Sequence, residues 1–375
     1  MFIRPRKPAP EPLDRRSLAE LGYRFDPEDG LVRAIATGDD FASTLAGTSK
    51  KQAAELYQTL SHPASREVYR VLAGGELGMV PIAVPDASQP HCCIYATPGA
   101  LDSDRLVVLV VGHGTCGGVW AWNVLLKSGL RAGSVVDYVR DCVRRGLGVL
   151  VLNPNENIVA PDGRPETTNS YTGPAPTAIA GSETADEHVG YVWTRMLRDR
   201  PAPRRLAFVA YNAAGISLVE VLRHDFERFA AQTACIAFID SLHSTHGLDP
   251  GPVAWLEVAA KHWETSVEPA DALVPNPYVG CPTLSADNTT DCREMTPSLC
   301  RARVLDYVAE CLDRGPVADV AALLLSAAAS DGGSESDDPG NDAAVNEALE
   351  SVHLMETPNI VAASDSDNEG YVGWD

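Results

Sequence analysis

The stretch Leu206–Arg223 reads LAFVAYNAAGISLVEVLR. An apolar run from Leu206 to Ala210 gives way to small residues, then resumes with helical spacing at Ile216, Val219, Val221 and Leu222. A buried strand that turns sharply into a helix has this pattern. The turn is Ala210-Tyr211-Asn212-Ala213-Ala214-Gly215, and small residues on its flanks let the strand and helix backbones approach closely. A nucleophile elbow, G-x-S-x-G, is built in the same way and presents its central residue at the carboxyl end of a sheet. The central residue here is Asn212. A carboxamide has no ionisable proton and cannot form the acyl-enzyme that Ser or Cys forms. The sequence thus predicts an elbow that has kept its shape and lost its nucleophile.

Outward from the elbow, strands alternate with helices. Arg105–Val111, RLVVLVV, is a continuous β-branched run, the pattern of a strand buried on both faces of a parallel sheet. A helix over Val135–Arg145, a strand over Gly148–Leu152, a helix over Glu183–Arg198, a strand over Ala234–Ile239, a last strand over Thr283–Ala286 and a helix over Ser298–Leu312 follow from periodicity. Upstream, Leu21–Phe41 carries two alternating segments around Pro27-Glu28-Asp29-Gly30, a hairpin signal. Lys50–Leu72 reads as a helix interrupted at Pro63, and Leu77–Val84 and His91–Ala96 as strands. These predict an N-terminal layer packed on the main sheet. The fold class expected is α/β: a doubly wound, mostly parallel sheet whose carboxyl-end loops form the site.

Residues 1–20, Pro-rich with Arg4, Arg6 and Lys7, read as a flexible arm without the apolar core of a secretory signal. The domain is expected over 21–328 and a disordered acidic tail over 329–375. From Asp331 onward there are 12 acidic and no basic residues, while the rest has 39 acidic against 30 basic. Ser334, Ser336, Ser364 and Ser366 sit beside tail acids as candidate phosphorylation sites, and Tyr371–Asp375 is oddly apolar. This charge balance argues against direct nucleic-acid binding, the cluster Arg198, Arg200, Arg204 and Arg205 reading as a solvated face. No apolar run approaches the roughly 20 residues that span a bilayer. The nine cysteines show no C-x-x-C, and free thiols in an intracellular, reducing setting are the simplest reading. Neither a metal nor a cofactor is expected.

The succession of segments resembles the Argonaute-binding-protein-two (Arb-type) domain family, which includes cotranscriptional regulators of animals. The resemblance covers roughly Leu21 to Leu312. It is carried by the opening LGYRFDPEDGLVRAIATGDDF, by VVLVVGHG with Trp120, and by RRGLGVLVLNPNEN at Arg144–Asn157. Glu187-His188-Val189 with Tyr191-Val192-Trp193, Asp240-Ser241-Leu242-His243, and Gly280-Cys281-Pro282 with Ser285-Ala286 and Pro297-Ser298 continue it. The resemblance implies an α/β-hydrolase-like fold and a role through protein partners, Argonaute or chromatin factors, in small-RNA silencing, heterochromatin or cotranscriptional regulation. It also implies a nuclear or cytoplasmic location. Many members place a nucleophilic Ser where this chain has Asn212, and an Asp that matches Asp240. Their later His aligns with Arg293, in Arg293-Glu294-Met295-Thr296, across a two-residue insertion around 288–291. Arginine is permanently protonated and cannot act as the base. The expectation is a catalytically silent scaffold, with an atypical hydrolase or a small-molecule binding module as the alternatives.

Gly112-x-Gly114-x-x-Gly117 has dinucleotide-fingerprint spacing, yet no acidic strand end follows about 20 residues on. Gly112, His113 and Gly114 then read as a plain loop or as the remnant of an oxyanion loop opposite the elbow. His243 and His246 are possible substitute bases and Ser241 a possible substitute nucleophile, with a hydrogen-bonded, structural His243 favoured. Asn153-Pro154-Asn155-Glu156-Asn157 reads as a tight loop whose side chains satisfy backbone groups.

Overall fold

A computed structural model describes residues 16–168, 171, 173–200, 204–290 and 292–317. Most of the N-terminal arm, and the acidic tail with its four serines and apolar end, lie outside the described residues. The chain opens with Tyr23–Phe25 (β1) and Val32–Ala34 (β2), an antiparallel hairpin about the expected turn. Phe41–Thr44 (α1) starts from Asp40, whose carboxylate accepts from the Ser43 amide. Lys50–Ala73 (α2) starts from a capping box between Ser49 and Gln52.

The interruption expected at Pro63 does not occur, for α2 runs through it over 24 residues. An interior proline costs about 3 kcal/mol. Leu60, Ala64, Val68 and Leu72 on the same helix are fully buried, and each large apolar side chain buried is worth roughly 1.5–3 kcal/mol. Packing wins.

Val80–Val84 (β3), Cys92–Ala96 (β4) and Arg105–Val110 (β5) come next, followed by Trp122–Lys127 (α3), Gly129–Gly133 (α4) and Val136–Arg144 (α5). Gly148–Val151 (β6) leads into Glu156–Val159 (β7), Pro165–Thr167 (β8) and Thr177–Ala178 (β9). Ala185–Val192 (α6), with a wider π turn over Trp193–Leu197, precedes Arg205–Tyr211 (β10) and Ala214–His224 (α7). Phe226–Gln232 (α8), Thr233–Ile239 (β11), Pro250–Ala259 (α9), Ala260–Glu264 (β12), Thr283–Ser285 (β13) and Thr296–Arg314 (α10) complete the order.

The main sheet has eight strands in the order β13-β12-β11-β10-β5-β6-β4-β3. The six from β13 to β6 are parallel, and β4 and β3 are added antiparallel at one edge. Thus β3 and β4 belong to the sheet itself, whereas the sequence placed them in a separate layer. Cys92 is buried and Cys93 half-buried, as neighbours on a strand with two different faces are. The strand β12, AKHWE, went unread because Lys, His and Glu interrupt its apolar pattern. β7, β8 and β9 form a small sheet of their own, too short to carry a periodic signal.

Alternate residues of each central strand feed two cores. Val107, Leu109, Val209 and Ile239 pack with α2, α5 and α10 on one face. Leu106, Val108, Phe208 and Phe238 pack with α6, α7, α8 and α9 on the other. This is the doubly wound arrangement that the sequence predicts. The basic cluster sits at the amino ends of β5 and β10; Arg204 departs from the solvated face expected of it, being 8% exposed with Nη1 unbonded, while the other three are matched by acids and carbonyls. Arg200 pairs with Asp102, Arg198 with Asp199 and Asp225, and Arg205 donates to the carbonyls of Leu312 and Asp313. Among the described residues, no helix is long and apolar enough to cross a membrane.

Phe229 joins the second core through aromatic contacts to Phe208, Trp193 and Trp255, with ring centroids 5.2, 5.1 and 5.8 Å away. Phe229→Ala is expected to destabilise the domain by about 3–5 kcal/mol, read from urea unfolding. A change under about 1 kcal/mol would show that this aromatic cluster does not organise the face.

Candidate functional site

β5 and β10 pair in register from Arg105 with Arg205 to Val110 with Ala210. β6 continues the sheet on one side of this pair and β11 on the other, so the strand order reverses here. Crevices at such a switch point are where open α/β sheets bind ligands. The loop after β5 meets the turn after β10 very closely. A Cβ added to Gly112 would stand 3.1 Å from Asn212 Cβ and 3.3 Å from the Tyr211 carbonyl oxygen. Only glycine allows that approach without displacement.

Asn212 has φ +54°, a left-handed conformation that Asn tolerates better than most residues. Its amide donates to the Ile239 carbonyl at 2.9 Å, and its carbonyl accepts from the amides of Gly215 and Leu242. Its side-chain Oδ1 accepts from the Ala213 amide at 2.8 Å. In a hydrolase elbow, the amide that follows the nucleophile is left free to bind the oxyanion. Here the Asn212 side chain occupies the amide of the residue that follows it.

Asp240 directly follows β11, with φ +41°, and is 8% exposed. Its Oδ1 accepts from the Thr265 amide at 2.6 Å and its Oδ2 from the Thr265 hydroxyl at 2.8 Å. Burial raises its pKa, against the opposing effect of those hydrogen bonds and of the Arg293 charge. Thr265 in turn lies 2.7 Å from the buried Thr296 hydroxyl, which also accepts from Asn288. This Thr265–Thr296–Asn288 support is not legible in the sequence, because its members lie far apart along the chain. Arg293 begins a short 3-10 turn before α10 and is exposed. Its charge reaches Asp240, but among the described residues no hydrogen bond joins the two.

The other candidates are bonded to partners of their own. Ser241 Oγ stands 2.7 Å from His243 Nδ1, and His243 Nε2 stands 2.9 Å from the Val279 carbonyl. A carbonyl only accepts, so Nε2 carries the proton and Nδ1 accepts from the serine. His243 is 3% exposed and stacked on Phe238, and burial brings its pKa down to about 4. His262 on β12, unnoticed in the sequence, accepts the Ser241 amide at Nε2 (2.9 Å) and lies 3.2 Å from the Thr283 hydroxyl through Nδ1. His246 is exposed, and its amide donates to the Ser244 hydroxyl. His113 and Gly114 lie on the Gly112 loop, half-buried and exposed respectively.

That loop is tied from beneath. Asn155 Nδ2 donates to the carbonyls of Gly112 (2.8 Å) and Thr115 (2.7 Å), and Asn153 Oδ1 accepts from the Gly117 amide. Asn153 Nδ2 donates to Glu156, which also accepts from Tyr69 on α2. Burial raises the Glu156 carboxyl to about 7, against those two hydrogen bonds. His188 on α6 completes the group, with Nε2 accepting from the Asn153 amide and Nδ1 2.8 Å from Ser182 Oγ. The backbone-satisfying reading of Asn153–Asn157 therefore holds. A separate cleft of about 270 Å³ lies between the opening hairpin, α2 and α5, lined by Phe25, Arg70, Leu130 and Arg140 among others.

Residues 15–270, more than half of the chain, match the Arb2 domain. The chain belongs to the Arb2 domain family. It is 25% identical over 325 residues to the cotranscriptional regulator ARB2A homologue of Xenopus tropicalis, covering 75% of this chain and 76% of that one. It is likewise 25% identical over 330 residues to human cotranscriptional regulator ARB2A, covering 76% and 78%. Among solved structures it is similar to a histone deacetylase from Saccharomyces cerevisiae, with TM-score 0.42 at 15% identity, over 67% of this chain and 97% of that one. It is also similar to esterase E25, with TM-score 0.33 at 10% identity, over 69% and 86%.

Four imidazoles of this Arb2 domain, His62, His188, His243 and His262, are held neutral, with burial bringing them down to about 4, 3, 4 and 3. Depressed folded-state values mean that the unfolded chain binds these protons first. Their stabilisation is present above about 6.5 and is lost as pH falls toward 4. Glu156, raised to about 7, works in the opposite sense with one proton. Near pH 5.5 the unfolded chain thus gains a net of about three protons from these groups, a slope of about 4 kcal/mol per pH unit. Urea midpoints measured from pH 7 to 4.5 are expected to fall accordingly, and a flat profile would mean that these rings are protonated in the fold.

Proposed function

We propose that this chain is a catalytically silent α/β-hydrolase-like scaffold that acts through protein partners in cotranscriptional regulation. One observation carries the reading: Asn212 Oδ1 holds the Ala213 amide. Electrostatic stabilisation of an oxyanion needs donors already aimed at the place where charge develops. A donor engaged by its neighbour's side chain offers nothing there. The Thr265 bonds to both Asp240 oxygens support the same reading, because among the described residues that carboxylate is bonded to threonine and to no imidazole. The relatives' names supply the regulatory context. Argonaute or chromatin proteins as partners, small-RNA silencing or heterochromatin as process, and a nuclear site of action are the finer form of the proposal. Affinity purification of the tagged chain followed by mass spectrometry tests it. Recovery of Argonaute or chromatin proteins is expected, and a preparation free of both would remove that finer form.

The Ser241–His243 contact favours a second reading, a hydrolase with a displaced nucleophile. A fluorophosphonate probe separates the two. The wild-type chain is expected to remain unlabelled, and stoichiometric labelling at Ser241, Ser217 or Ser285 would establish the second reading. Asn212→Ser is expected to fold, to release the Ala213 amide, and still to remain unlabelled, because a serine hydroxyl needs a base to accept its proton. Arg293 cannot supply one. Labelling of Asn212→Ser at residue 212 would show that a base already stands within reach.

A further inference from the structure

The cleft of about 270 Å³ between the opening hairpin, α2 and α5 shares no lining residue with the Asn212 crevice. Phe25 of the hairpin, Val71 of α2, Leu130 of α4 and Val136 of α5 supply its apolar part. Val136 is fully buried, and the other three are half-buried against the first core. The walls are fastened to one another. The Leu130 amide donates to the Gly30 carbonyl at 2.8 Å, and a Cβ on Gly129 would stand 2.5 Å from that same oxygen. A water takes about 30 Å³ of the liquid, so the cleft has room for about nine waters or an organic molecule of similar bulk.

Five charged residues also line it, Arg70, Arg131 and Arg140 against Asp26 and Glu67. Four of these are already matched. Asp26 accepts from the Glu28 amide at 2.9 Å and lies 3.7 Å from Arg33 Nε. Glu67 accepts from Arg70 through Nε, at 2.7 Å, and Nη2. Arg140 donates through Nε to Glu76 at 3.2 Å and through Nη1 to Asp137. Arg131 differs: its Nη2 reaches the Glu28 carbonyl at 3.4 Å, and among the described residues it has no carboxylate partner. Its stem lies across the hairpin turn, with Cγ 3.7 Å from where a Cβ on Gly30 would stand. An unpaired surface arginine is ordinary by itself. Here it stands at a concave apolar surface, and a few placed polar groups on such a surface are what small-molecule sites are made of.

The unmatched charge is a single positive one, and that decides the class of ligand. A phosphate carries about −1.5 to −2 at neutral pH and would bring excess negative charge beside Asp26 and Glu67. A carboxylate brings one negative charge in a plane that fits the guanidinium fork. Arg70 Nη1 and Arg140 Nη2, without partners among the described residues, add donors at the same cleft. We propose that this cleft binds a small monocarboxylate, its aliphatic or aromatic body on Phe25 and Leu130 and its carboxylate on Arg131. The site is independent of the scaffold reading, since it uses none of the residues on which that reading rests.

The test titrates the full chain with sodium phenylacetate by isothermal titration calorimetry. Phenylacetamide, inorganic phosphate and a glycine-rich peptide with a carboxyl-terminal phenylalanine serve as comparisons. Saturable binding of phenylacetate is expected, with a dissociation constant on the order of 0.1 mM. The neutral amide is expected to bind about tenfold more weakly or worse, and so is phenylacetate to Arg131→Gln, because each loses a charge-assisted hydrogen bond. Arg131 is exposed, so this variant is expected to keep the wild-type circular dichroism spectrum. A benzoate carrying a trifluoromethyl diazirine is expected to cross-link, on irradiation, within residues 25–30 or 130–140. Absence of saturable heat, equal affinity for acid and amide, wild-type affinity in Arg131→Gln, or cross-links confined to other segments would each overturn the proposal. Tighter binding of phosphate would overturn it in favour of a dianion site, and tighter binding of the peptide in favour of a partner protein's carboxyl terminus. If Arg131→Gln fails to fold, the acid and amide comparison on the wild-type chain decides.

Discussion

The parallel pairing of β5 with β10 is the constraint on which the rest of the domain depends. It fixes where two strands end, and it brings the Gly112 backbone against Tyr211 and Asn212. Parallel strands cannot be joined by a tight turn, so the connections from β5 through β12 cross a face of the sheet with helices, and a long loop joins β12 to β13. Those helices bury the two cores, and the loops between them gather at the carboxyl ends. The amides of Asn153 and Asn155, arriving from the end of β6, then fasten the Gly112–Gly117 loop from below. A crevice that this architecture would leave open to ligand is instead stitched together by carboxamides.

Two groups at that place would serve chemistry if they were free. The Ala213 amide is engaged by Asn212, and both oxygens of Asp240 are engaged by Thr265. Withdrawing a buried donor or acceptor from a bond already made costs about 1–3 kcal/mol, and more for a charged group. A transition state would have to meet that cost before gaining anything. The same bonds benefit a scaffold, because they fix the turn and the loop that connects β12 to β13.

The legible parts of the fold were those in which one local pattern determines one element. RLVVLVV and the run Leu206–Ala210 are apolar on both faces, and the hairpin carries its own turn residues. β12 was not legible, since Lys261, His262 and Glu264 break its pattern while Trp263 alone signals burial. Its neighbours, supplied by tertiary structure, make His262 a buried acceptor. At the site, the identity of Asn212 was readable but the destination of its side chain was not. Nor could sequence join Asp240 to Thr265, 25 residues away, or Glu156 to Tyr69, 87 residues away. Pro63 marks the converse error, a sound local rule overridden by the buried face of α2.

Ser241 and His243 illustrate why proximity does not amount to a dyad. Their hydrogen bond has the length that a nucleophile and base require, and the tautomer, with Nδ1 accepting, is the one that could take the serine proton. The difficulty is the space on the other side of the serine. Ser241 Oγ lies 1.9 Å from where a Cβ on Gly215 would stand, so the hydroxyl is pressed into the first turn of α7. A substrate carbonyl needs room about 3 Å from the nucleophile, and that room is filled by the helix itself. The glycine that lets α7 approach the sheet therefore also seals the serine. A group sealed in this way stabilises the turn through its neighbours, with its amide on His262 and its hydroxyl on His243, and the pair is better described as a strut between β11, β12 and the Val279 loop.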